Sequence, residues 1–121
     1  MNKIGKDGLI VNSILDELLN ERLEYYKNNL SNSSEPINGD DPYARARSII
    51  IKLSNEEQKK IFNFLRLVMI DTMSAIFGTI DGSHFPPNIS GDFILEYDGD
   101  EIQGSLQDEL IAKAEEIGVY D

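Results

Sequence analysis

Ser54–Gly78, SNEEQKKIFNFLRLVMIDTMSAIFG, is the stretch whose reading decides the fold. It opens with a capping box. The Ser54 hydroxyl can accept from the backbone N–H three residues on, and the Glu57 carboxylate can reach back to the N–H of Ser54. Eleven large apolar side chains from Ile61 to Phe77 then surround most of a helical circumference. The pattern predicts a long helix that stops at Gly78, a residue suited to a left-handed C-terminal cap. A helix apolar nearly all round must be covered on several sides, so it is expected to be the central element. Asn63, Arg66 and Asp71 interrupt the run, which falls short of a clean membrane span of about 20 residues.

Upstream, Val11, Ile14, Leu15, Leu18, Leu19, Leu23 and Tyr26 recur at three- and four-residue spacing, with Asp16, Glu17, Glu21 and Glu24 between them. This predicts an amphipathic helix from about Leu9 to Asn29. Residues 31–40 are rich in turn formers and read as an exposed loop. Asp41-Pro42 then pairs an N-cap with a favoured first helical residue. A short helix from Pro42 to Lys52 is expected, burying Tyr43, Ala46, Ile50 and Leu53.

Downstream, residues 79–91 lose periodicity at Pro86-Pro87 and read as an irregular loop. Phe93, Leu95 and Tyr97 alternate with Ile94 and Glu96, and Asp98-Gly99 is a strong two-residue hairpin signal. That turn sets Leu95 opposite Ile102, so register and apolar pattern agree. Ser105 is placed to cap a last helix, Leu106–Ile117, with Leu106, Leu110, Ile111, Ala114 and Ile117 as its stripe and Gly118 at its end. The fold class is therefore α+β, predominantly α: about four helices, with a two-stranded antiparallel hairpin between the third and the last. Residues 1–121 read as a single globular domain, a length sufficient to bury a core without staples. There is no cysteine, which excludes disulfides and thiolate metal sites. The first fifteen residues lack the apolar run of a signal peptide, so a cytoplasmic protein is expected.

Charge is distributed unevenly. Residues 1–66 hold ten acidic and ten basic side chains, whereas residues 67–121 hold twelve acids and one base, Lys113. The formal net charge of -11 thus comes from the second stretch. Such a field repels nucleic acid and anionic membrane and attracts cations.

No catalytic or cofactor motif is present: no Gly-rich phosphate loop, no GxSxG, no HExxH. From Asp98, a calcium loop would have acids at Asp98, Asp100 and Glu109, but Ile102 and Gln103 stand where the motif needs an oxygen ligand and glycine. His84, the one histidine, lies near Asp81 and Asp92, a thin set for zinc or general-base work. Asp71, inside the apolar helix, is read as facing a narrow wet seam or meeting Arg45 or Arg47. No catalytic, cofactor or metal residue is assigned.

The remaining candidate is an acidic docking face made by Glu96, Tyr97, Asp98, Asp100, Glu101, Asp108 and Glu109, with Tyr97, Phe85 and Tyr120 as aromatic anchors. The expectation is a small acidic intracellular module that binds a basic protein, such as an immunity or inhibitor protein against a nuclease-type toxin. Two alternatives stand beside it: a small enzyme or metal-binding domain centred on His84 with Asp81, Asp92 or Asp71, and an oligomeric structural or regulatory adaptor.

Overall fold

A computed structural model describes residues 5–32 and 39–121. Among these the order is α1 (Lys6–Asp16), a π-helical segment (Glu17–Arg22), α2 (Leu23–Ser31), α3 (Pro42–Ile50), α4 (Asn55–Asp81), β1 (Glu96–Tyr97), β2 (Asp100–Glu101) and α5 (Leu106–Glu116). The first three follow one another without a break. The described residues therefore make four helical runs with one antiparallel hairpin before the last, the predicted α+β class. Nothing in the apolar periodicity announces the π segment. Of the loop expected over residues 31–40, residues 33–38 lie outside the described residues.

The chain divides into two compact units, residues 1–16 with 67–121, and residues 17–66. In the first unit α1 packs on α5. Val11, Leu15, Ile70, Leu106, Leu110 and Ala114 are almost fully buried there, joined by Met73, Phe77, Ile102 and Val119. Each such large apolar side chain contributes roughly 1.5–3 kcal/mol on leaving water. Ile117, expected on the α5 stripe, is instead exposed. Gly118 takes a left-handed φ of 78° and folds Val119 back, its N–H donating to Ala114 O at 3.0 Å. That is the Schellman arrangement.

In the second unit α2 packs on α3. Asp41 caps α3 as its sequence suggests, its Oδ1 accepting from the N–H of Tyr43 at 3.0 Å and of Ala44 at 3.1 Å. The buried face of α3 is Ala44, Arg47 and Ile50; Ile50 is buried as expected, but Tyr43, Ala46 and Leu53 are only half-buried, and Ala44 and Arg47 take the places of the first two. Arg47 explains the slip. Its Nε donates to Asn29 O at 2.7 Å and another guanidinium nitrogen donates to Asn29 Oδ1, which places a cation at the carbonyl end of α2. Tyr43, half-buried, stacks on Tyr26 with centroids 6.3 Å apart. The capping box is formed, Ser54 N–H to Glu57 Oε1 at 2.9 Å and Glu57 N–H to Ser54 Oγ at 3.1 Å.

Two expectations for α4 are corrected. It does not stop at Gly78 but runs to Asp81, and Gly82, with φ 82°, is the left-handed cap. Ser83 N–H donates to Gly78 O at 2.8 Å and Gly82 N–H to Thr79 O at 3.3 Å. Gly78 serves a close approach instead: a Cβ there would stand 2.8 Å from Gln107 Nε2 and 3.0 Å from His84 Cβ. Nor is α4 covered all round. Phe62, Ile70, Met73 and Phe77 are buried, while Ile61, Phe64, Val68 and Ile76 are exposed. By length and composition alone the helix would also pass for a membrane span. Arg66 and Asp71 sit near its middle, where charge is costly in hydrocarbon.

Candidate functional site: an acidic hairpin face

The hairpin turns as its sequence predicts. Asp98 and Gly99 have φ of 50° and 84°, the two positive values a type I′ turn requires. Glu96 pairs with Glu101 and Tyr97 with Asp100. One step further, Ile102 N–H donates to Leu95 O at 2.8 Å, so the predicted Leu95–Ile102 pair is present, with Ile102 buried. The ladder is shorter than the alternation of Phe93, Leu95 and Tyr97 suggested. Gln103 ends it, its side-chain Oε1 accepting the Leu95 N–H at 3.0 Å.

Because side chains alternate across a strand, Leu95, Tyr97, Asp100 and Ile102 share one face and Glu96 and Glu101 the other. The candidate residues therefore separate. On the inner face, Asp100 Oδ2 is held by Lys6 Nζ at 2.5 Å, and the same ammonium donates to Asp98 O at 3.0 Å. On the outer face, Glu96 and Glu101 stand directly opposite each other, both exposed, with Gln103 Nε2 donating to Glu101 Oε2 at 3.2 Å. Tyr97 is 42% exposed.

Asp108 and Glu109 lie in the first turn of α5, where the helix dipole favours acids. The expected cap of that helix is corrected: Ser105 makes no side-chain capping bond. Asp81, at the end of α4, takes its place. Its Oδ1 accepts from the N–H of Gly104 at 2.7 Å and of Leu106 at 3.2 Å, and its Oδ2 from that of Gln107 at 2.8 Å. Gln107 in turn donates to Ser74 O at 3.1 Å and Ser74 Oγ at 3.0 Å, and accepts from Ser83 Oγ at 2.8 Å.

Electrostatics sharpen at the level of the unit. Residues 1–16 with 67–121 hold fourteen acids and three lysines, whereas residues 17–66 hold eight of each sign. The entire net charge of -11 belongs to the unit that carries the hairpin. Tyr120 feels it: burial first, then the nearby carboxylates of Asp71 and Glu115, push its phenol above the ordinary value. Asp71 itself is exposed, as are Val68, Thr72 and Ile76 on the same helix, so it does not sit in the narrow seam expected for it.

His84 and Asp92 line a cleft of about 80 Å³ with Phe85, Ile89 and Phe93. Asp81 is committed to capping, and Asp71 is exposed on α4. Among the described residues no three acidic or histidine side chains converge as a metal ion would require. Lys6 and Ile89 were not singled out from sequence. Asp81 was named only as a companion of His84, Gln103 only as a residue unfit for a calcium loop, and Phe93 only for its place in the strand alternation. No protein-family model matches the chain, and neither a curated protein nor a solved structure matches it.

Proposed function

We propose that this chain is a cytoplasmic protein-binding module whose acidic unit docks a basic protein partner, in the manner of an immunity or inhibitor protein facing a nuclease-type toxin. One observation carries the reading. The whole net charge lies on one folded unit, and the Glu96–Glu101 pair crowns the outer face of its hairpin. Like charges directly opposite on a ladder cost roughly 0.2–1 kcal/mol, a penalty that a cation laid across them would offset. A nuclease must itself be cationic to hold a phosphate backbone. Complementary fields would also speed and orient the encounter.

The test is parallel affinity capture from the source cell with the natural chain and with a Glu96→Gln/Glu101→Gln variant, each at low and high salt. A basic protein held by the natural chain, lost in the variant and lost at high salt is expected. Equal retention by both chains, or no retention at low salt, would remove the reading.

A further inference from the structure

We infer that the cleft at the Phe85–Phe93 loop is the anchor socket of this docking surface, and that its occupant is a basic segment with a protruding apolar side chain. The inference rests on the proposed basic partner and adds the contact that would give it specificity.

Phe85, Ile89 and Phe93 are 76%, 48% and 46% exposed, yet all three line the same cleft. Large apolar groups gathered on a surface and rimmed by polar ones mark interaction sites. The cleft, at about 80 Å³, is far below the roughly 300–1,000 Å³ of small-molecule pockets and suits one inserted side chain. The loop is held where it leaves α4. The N–H groups of Ser83 and His84 both donate to Gly78 O, at 2.8 and 3.0 Å, and Ser83 Oγ is tied to Gln107. A loop anchored at this end has less freedom to lose on binding.

Charge selects the occupant. Asp92 is among the residues lining the cleft, within a unit carrying fourteen acids against three lysines. A second copy of this chain would bring the same excess of negative charge, and an anionic lipid surface would be repelled likewise. A cationic segment with an apolar anchor satisfies both the field and the cleft, and buried anchors in pockets carry most of the affinity of protein interfaces.

The probes are two labelled peptides of equal length and charge, one Lys/Leu amphipathic and one Lys/Ala, titrated into the full chain by fluorescence anisotropy at low salt. The Lys/Leu peptide is expected to bind roughly tenfold tighter. Phe85→Ala and, separately, Phe93→Ala should erase that difference and leave Lys/Ala binding unchanged, with the circular dichroism spectrum intact. Glu96→Gln/Glu101→Gln should weaken both peptides. Equal binding of the two peptides, or no effect of either aromatic variant, overturns the socket and leaves the basic-partner reading standing. Failure of both peptides to bind overturns both. Tight Lys/Leu binding that is indifferent to salt and to the glutamate variant overturns the cationic occupant.

Discussion

Asp81 satisfies three backbone N–H groups at the start of α5 from 23 to 26 residues away. Removing a cap costs about 1 kcal/mol, and the part-buried N–H groups of Leu106 and Gln107 left without an acceptor add to it. Asp81→Ala is therefore expected to cost about 1–3 kcal/mol and to lower Tm by several degrees in a thermal melt. Ser105→Ala should be nearly silent in the same measurement. Asp41 and Glu57 are caps of the ordinary local kind. Hydrogen bonds, first from the Ala44 N–H to Asp41 and from the Ser54 N–H to Glu57, hold both carboxyls below their usual values. A depressed folded value means the folded state binds the proton less tightly, so the stability each gives is full above the unfolded value. It is lost as pH falls through the folded one. Urea midpoints taken from about pH 6 down to about pH 3 should fall, and Asp41→Asn and Glu57→Gln should each make that fall shallower. These local caps were legible because donor and acceptor lie within three residues. Asp81 was not, since nothing in the residues near it names a partner on another helix.

At the scale of the element, the hairpin was the most readable part because turn chemistry and alternation agree on one register. Only its length was misjudged: Gln103 takes the Leu95 N–H that another strand residue would have paired. Glu101→Lys should replace repulsion with attraction across the ladder and raise stability by about 0.5 kcal/mol. The same change should weaken capture of a basic partner, so stability and binding are expected to move in opposite directions. Gly99→Val forces a β-branched residue to a φ of 84° and should cost roughly 1–2 kcal/mol in chemical denaturation. Helix α4 was the least readable. Its composition shows how much apolar surface it carries but not how much the other elements cover, so Phe64 and Ile76, at 62% and 55% exposed, could not be told from Ile70. Gly78 misled for a related reason. Its missing side chain admits Gln107, and Gly78→Ala should cost roughly 1–2 kcal/mol despite the better helix former.

On the scale of the whole molecule, charge was visible as a difference between two stretches of sequence, and the fold makes it a property of one unit. Residues 1–16 bring two lysines to that unit and two further acids, which leaves its excess unchanged. Self-repulsion of this kind is screened by salt over about 10 Å at 0.1 M. Tm should therefore rise with sodium chloride from about 10 mM to about 200 mM, and a flat response would show that the acids do not strain the fold. The non-contiguous make-up of this unit also bears on how it is born. Lys6 bonds to the Asp98 carbonyl across 92 residues, and α1 packs on α5, close to the other end of the sequence. A ribosome adds about 5–20 residues per second, so Val11 and Leu15 emerge several seconds before the helix that shelters them. The nascent chain thus carries a wet apolar stripe while the residues between α1 and α5 are being made, a natural client for a chaperone waiting at the tunnel exit.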